Sequence, residues 1–86
     1  MTAEELRRRL LQALPGTEVQ VQDDSHLHAG HAGAREGGHF SVRLRGACFA
    51  GRSRVQRHRL VYDALGSLSG IGVHALAIDA RAPQEP

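Results

Sequence analysis

The chain has 86 residues, 41% of them hydrophobic and 23% charged, which is the length and composition of one small folded domain. The single cysteine, Cys48, excludes an internal disulfide, and no apolar run approaches the roughly 20 residues of a membrane-spanning helix. Six of the eleven arginines lie between residues 41 and 62, where there is no acidic residue, so the positive charge is concentrated in one block. These features predict a cytoplasmic protein with one core and no membrane partner.

The first predicted element is a helix. Thr2 and Glu5 have the spacing of a capping box, in which each side chain accepts a hydrogen bond from the backbone of the other residue. The apolar residues that follow at helical spacing are Leu6, Leu10, Ala13 and Leu14. Pro15 and Gly16 end this helix, because proline lacks an amide and disfavours a helical residue before it.

Three segments alternate polar and apolar residues, as strands buried on one face do. They are residues 18–23, 39–45 and 73–79. In the last of these, the alternation predicts that His74, Leu76 and Ile78 share a face. A loop rich in histidine and glycine joins the first two strands.

A second helix is predicted from Arg54 to about Leu68, with Ser53 as its N-cap and Ser69-Gly70 at its end. Five cationic or titratable side chains crowd its first turns, and we call them the basic cluster: Arg52, Arg54, Arg57, His58 and Arg59. The positive end of the helix dipole adds to their field, so this region favours an anion. The alternatives for what meets this field are the acidic surface of a partner, the phosphates of duplex DNA, or solvent alone.

The order of elements is α-β-β-α-β, and it predicts an α+β domain of two layers. Two helices would cover one face of a three-stranded sheet. The domain would span residues 1–82, and residues 83–86, with Pro83 and Pro86, would form a flexible tail.

Histidines are the main candidates for chemistry. Four of the six lie in or beside the loop between the first two strands: His26, His28, His31 and His39. Imidazole is a suitable ligand for iron and zinc. Considered alone, however, His74 is typical of a core or strand-end histidine. Cys48 is typical of a small buried hydrophobic residue. No nucleophile with a base and an orienting group can be assembled, which favours a non-enzymatic role.

Residues 24–31, 38–40, 51–62 and 74–76 closely resemble the BolA family. The resemblance extends from the first helix to about Pro83, and the run Arg-Val-Gln-Arg-His-Arg at 54–59 is its most specific part. It implies a fold like that of the class II KH domain, with a mixed sheet.

The resemblance also implies a partner and a cargo. BolA-like proteins pair with monothiol glutaredoxins, and the two proteins hold a [2Fe-2S] cluster between them together with glutathione. The glutathione carboxylates are then a further candidate to meet the basic cluster. His74 matches one BolA ligand, His28 is the best match for the other, and His39 is the alternative. The isolated chain is not expected to bind the cluster tightly. The resemblance leaves open whether the free protein forms a homodimer.

Some BolA relatives are described as DNA-binding transcriptional regulators. The resemblance therefore implies a second function, in which the basic cluster binds duplex DNA.

Overall fold

The computed structural model describes residues 1–25 and 38–86. The helices and strands are α1 (Ala3–Ala13), β1 (Glu18–Asp23), β2 (Gly38–Arg45), α2 (Arg54–Leu65) and β3 (Val73–Arg81). Short 3-10 turns lie at Ala47–Phe49 and Ser69–Ile71. The predicted order of elements and the α+β class are confirmed.

The strands form one mixed sheet in the order β1-β2-β3. β1 and β2 are antiparallel, whereas β2 and β3 are parallel and are connected through α2. Side chains from β2 that face the helices are buried in the core: Phe40, Val42 and Leu44. Their partners on β3 are Leu76, Ile78 and Ala80, which pack against the same core.

Helix α1 begins with the predicted capping box. The Glu5 amide donates to Thr2 Oγ1 at 3.1 Å, and the Thr2 amide donates to Glu5 Oε2 at 3.3 Å. Leu6 and Leu10 are fully buried. The predicted stripe is wrong at Ala13, which is exposed at the last helical position, and Leu11 packs against the core instead.

Helix α2 has a second capping box. The Gln56 amide donates to Ser53 Oγ at 3.2 Å, and the Ser53 amide donates to Gln56 Oε1 at 2.8 Å. The predicted end at Leu68 is wrong by three residues, because Gly66 takes a φ of +73° and stops the helix after Leu65. Among the described residues, no helix is long and apolar enough to cross a membrane.

The segment between β2 and α2 contributes to the core through a 3-10 turn rather than a simple turn. Phe49 is fully buried, whereas the adjacent Cys48 is exposed. The prediction that Cys48 is a buried hydrophobe is therefore wrong. Successive residues of a 3-10 turn point about 120° apart, so burial of the larger Phe49 turns Cys48 outward.

Candidate functional site

The parallel pairing of β2 and β3 has an irregularity where β3 begins. Gly38 lies opposite Val73, but the next residue, His39, lies opposite Ala75. His74 is thus an extra residue in β3, a β-bulge, and such bulges commonly redirect a side chain. The predicted face shared by His74 with Leu76 and Ile78 is wrong, because the bulge leaves His74 exposed.

The bulge brings His74 next to His39. The centroids of the two imidazole rings are 5.0 Å apart, and the ring planes are inclined by 50°. His39 is only 8% exposed, whereas His74 is exposed, so the pair has one inner and one outer member. Two residues that are 35 positions apart in the sequence therefore form one pair of nitrogen donors.

Backbone hydrogen bonds hold His39 in position. Its amide donates to Ser25 Oγ at 3.1 Å, and its carbonyl accepts from the Asp24 amide at 2.7 Å. The Asp24 carboxylate in turn accepts from Ser41 Oγ and, at 2.9 Å, from Gln22 Nε2. The end of β1 is thereby attached to β2 beside the histidine pair.

Glycine is required at position 38. A Cβ atom there would overlap the buried ring of Phe40. The Gly38 amide also donates to the Gly72 carbonyl at 2.9 Å, which fixes the start of β2 against the start of β3. The bulge and the histidine pair depend on this close approach.

A cavity of about 260 Å³ opens beside the histidine pair. Its lining includes His39, the Asp24 carboxylate and the small side chains of Ala75 and Ala77. Among the described residues, no group of three or more His, Cys, Asp or Glu side chains could hold a metal ion. The pair by itself thus provides two nitrogen donors, which is half of the four ligands that a tetrahedral metal ion takes.

The predicted ligand His28 lies outside the described residues, as do His26 and His31. The assignment of His28 stays a prediction. Of the three candidate ligands, the structure brings together His39 and His74.

The basic cluster divides in the structure. Four of its members line a groove of about 670 Å³ between the start of α2 and the C-terminal end of β3: Arg52, Arg54, Arg57 and His58. Arg81, Asp79 and Glu85 also line this groove, which we call the basic groove. Arg59 is exposed on α2 and does not line it.

Arg57 is the most enclosed arginine of the basic groove, with 14% of its side chain exposed. Nε donates to the Arg52 carbonyl at 2.9 Å, and Nη1 donates to the Ala80 carbonyl at 3.1 Å. Both terminal nitrogens of the same guanidinium donate hydrogen bonds to the Glu85 carboxylate, and Nη2 lies 3.1 Å from Oε2. This hydrogen-bonded ion pair lowers the pKa of Glu85 below its ordinary value.

Residues 82–86 are attached to the domain by arginines. Arg45 Nη1 donates to the carbonyls of Ala82 at 3.2 Å and Pro83 at 3.3 Å, and also to that of Glu85. Arg81 donates to the Pro86 carbonyl. Sequence reasoning missed these roles of Arg45, Arg81 and Glu85. Hydrogen bonds from arginine to backbone carbonyls have no signal in the residue types, and Arg45 and Glu85 lie 40 positions apart.

The histidine pair and the basic groove lie at opposite ends of β3. His74 precedes Ala80 by six residues, and an extended strand of that length spans roughly 20 Å. The two sites are therefore separate from each other.

Two helices on one face of a three-stranded mixed sheet, in the order α-β-β-α-β, define an α+β domain of the class II KH-like type. A family model described as BolA-like protein matches residues 10–85. The chain belongs to the BolA family.

Two relatives with curated names match most of this chain. The chain is 41% identical over 86 residues to SufE-like protein 1, chloroplastic/mitochondrial, of Arabidopsis thaliana, covering 93% of this chain but only 23% of that protein. It is 38% identical over 86 residues to the uncharacterized protein in the cobS 5′ region of Sinorhizobium sp., covering 96% of this chain and 92% of that protein. The chain thus spans about a quarter of the plant relative and nearly all of the bacterial one.

The solved structure of the BolA domain of SufE1 from Arabidopsis thaliana is similar throughout. The TM-score is 0.81 at 42% identity, and the match covers 98% of this chain and 94% of that domain.

Proposed function

We propose that this protein is a non-enzymatic adaptor that holds a [2Fe-2S] cluster, as cargo, jointly with a monothiol glutaredoxin and glutathione. The observation that carries the proposal is the pairing of His39 with His74 at a ring separation of 5.0 Å. The adaptor is expected to act in the cytoplasm.

The spacing of the two imidazole rings suits one metal ion. Two imidazoles that bind a tetrahedral ion through nitrogens at about 2.1 Å have ring centroids roughly 5 Å apart. In a cluster with two bridging sulfides, an iron needs two further ligands, and two histidines serve in this way in Rieske centres. His39 and His74 thus fit one iron of a [2Fe-2S] cluster.

The second iron needs ligands from elsewhere. Thiolates are the usual ligands of such clusters, and the only cysteine of this chain is Cys48. Cys48 follows the opposite end of β2 from His39, and the six-residue step from His39 to Arg45 alone spans roughly 20 Å. A partner that brings thiolates therefore explains a site with only two imidazoles, and the exposure of His74 leaves the pair accessible to that partner.

Histidine ligation has a chemical consequence for the cargo. An iron bound by imidazole has a higher reduction potential than one bound only by thiolate. A neutral imidazole also binds iron less strongly than an anionic thiolate, which favours passing the cluster on.

Anaerobic purification of the complex with a monothiol glutaredoxin tests the proposal, with visible absorption and circular dichroism as readouts. His74→Ala is expected to remove the spectrum of the histidine-ligated cluster, and the loss in either His39→Ala or His28→Ala identifies the second ligand. His31→Ala, at a histidine for which the family resemblance implies no ligand role, is the matched control and keeps the wild-type spectrum. A cluster spectrum that is identical in wild type and His74→Ala would contradict the ligand assignment.

DNA binding is the second candidate function. The exposed side chains of Arg54 and Arg59 favour it, since arginines at a helix N-terminus are common phosphate contacts. Binding to a duplex is then expected to fall steeply with salt, and to weaken in Arg54→Gln. Binding that is insensitive to both changes would refute this candidate.

A further inference from the structure

We propose that the basic groove binds an acidic segment of a partner protein, and that Glu85 occupies the groove as an internal substitute until that segment displaces it. The proposal concerns the contact with a protein partner and not the metal ligands. It can therefore fail while the assignment of His39 and His74 holds, and the reverse is also true.

The groove is built to hold a carboxylate. Both terminal nitrogens of Arg57 donate to Glu85, and the Ala82 amide donates to Glu85 Oε1 at 2.5 Å. The two-pronged pairing of a guanidinium with a carboxylate is strong and geometrically specific. The carbonyls of Arg52 and Ala80 also accept hydrogen bonds from Arg57. These bonds hold the guanidinium in place when another carboxylate replaces that of Glu85.

The groove holds more positive charge than the chain's own acids balance. Asp79 is engaged by Arg81 at 2.8 Å and by Arg43 at 3.9 Å, and these contacts lower the pKa of its carboxyl. Glu85 balances Arg57. Among the described residues, neither Arg52 nor Arg54 has an acidic partner within 4 Å, so a ligand with more than one carboxylate would gain contacts that Glu85 alone does not make.

The neighbouring strand offers a second element of recognition. β3 is at the end of the strand order among the described residues. The Ala80 carbonyl accepts from Arg57 on α2, so it points away from β2, and strand alternation directs the Ile78 carbonyl the same way. An extended peptide is able to hydrogen-bond to this edge while its acidic side chains enter the groove.

A protein segment fits the groove better than the other anions considered for the basic cluster. Asp79 stays in the groove when Glu85 leaves, so separate carboxylates that approach the arginines individually fit it better than the continuous negative charge of a phosphate backbone. Glutathione bound to a cluster at His74 is also too short: an extended tripeptide reaches about 11 Å, whereas His74 and Ala80 are roughly 20 Å apart.

Glu85 is suited to exchange. Its side chain is 42% exposed and follows the last strand, so it is able to leave Arg57 without disturbing the core. An internal occupant lowers the apparent affinity for a partner by the fraction of molecules in which the groove is closed. Removing the Glu85 charge is therefore expected to strengthen binding.

The test is fluorescence anisotropy with the full chain and a labelled peptide that contains four glutamates between Gly-Ser flanks; a tetraglutamine peptide is the probe control. Glu85→Gln is expected to raise the affinity about three- to fivefold. Arg57→Gln is expected to lower it about tenfold. Glu4→Gln and Arg9→Gln make the same charge changes on α1 and serve as matched controls, with far smaller effects.

Three results would overturn the proposal. One is equal strengthening by Glu85→Gln and Glu4→Gln, which would show a response to net charge alone. Another is equal binding of the glutamate and glutamine peptides. The third is tighter binding of a random-sequence DNA duplex than of the glutamate peptide, with the same dependence on Arg57, which would make the groove a nucleic-acid site. The peptide assay contains neither glutaredoxin nor iron, which keeps this test separate from that of the metal ligands.

Discussion

The N-terminal end of β3 presents an exposed imidazole beside a buried one, whereas its C-terminal end presents guanidinium groups that already hold a carboxylate. A bulge in the backbone creates the first arrangement. An ion pair between the side chains of Arg57 and Glu85, 28 positions apart, creates the second.

The two proposals assign a partner a different task at each end. At the histidine pair, a partner would add the ligands that two imidazoles lack. At the basic groove, a partner would compete with Glu85 for Arg57.

Gly38→Ala is expected to disrupt the histidine end most strongly. The added Cβ overlaps the ring of Phe40 in the core, and overpacking of this kind costs about 1–3 kcal/mol of unfolding free energy. Urea denaturation measures the loss. Gly70→Ala is the control, because its Cβ would meet only the side chain of Ser67, at 3.3 Å. Equal stability of the two variants would show that the close approach at Gly38 does not matter.

Ser53→Ala tests the groove end through the cap of α2. Loss of a capping side chain costs about 1 kcal/mol and loosens the first turn, which carries Arg54 and Arg57. Thr2→Ala removes the equivalent cap of α1 and is expected to cost about the same stability. Binding of the glutamate peptide is expected to weaken only in Ser53→Ala. Equal weakening in both variants would show that peptide binding does not depend specifically on the first turn of α2.

Acid pH is expected to produce the smallest effect. The pKa of Glu85 is lowered from 4.5 by Arg57, and that of Asp79 is lowered from 3.8 by Arg81. A carboxyl whose pKa is lower in the folded state stabilises the fold above its unfolded pKa, and this contribution is lost as the pH falls through the folded value. Urea denaturation from pH 7 down to pH 3 is therefore expected to show a shallower loss of stability for Glu85→Gln than for wild type. Parallel curves would mean that the ion pair with Arg57 does not stabilise the fold.

Some elements were predictable because they depend on neighbouring residues. The bounds of β1 follow from the alternation of its own residues, and the capping box of α1 and the N-cap of α2 follow from residues three positions apart. The end of α2 also has a local signal, since Gly66 is the usual type of residue to follow a helix, but the prediction places the end at Ser69-Gly70 instead. Local rules thus predicted element order well and one helix end poorly.

Three features follow from the sequence alone: the α-β-β-α-β order, the concentration of arginine before and within the second helix, and the segments that resemble the BolA family. The outward position of His74 beside His39 depends on the fold, because the bulge arises from pairing between two strands that are distant in the sequence. The contact of Glu85 with Arg57 also depends on the fold, because an ion pair across 28 positions requires the chain to fold back and has no local spacing. The periodicity of a sequence predicts which face a residue occupies only within a regular helix or strand. His74 lies at a bulge and Glu85 follows the last strand, so periodicity predicts the position of neither.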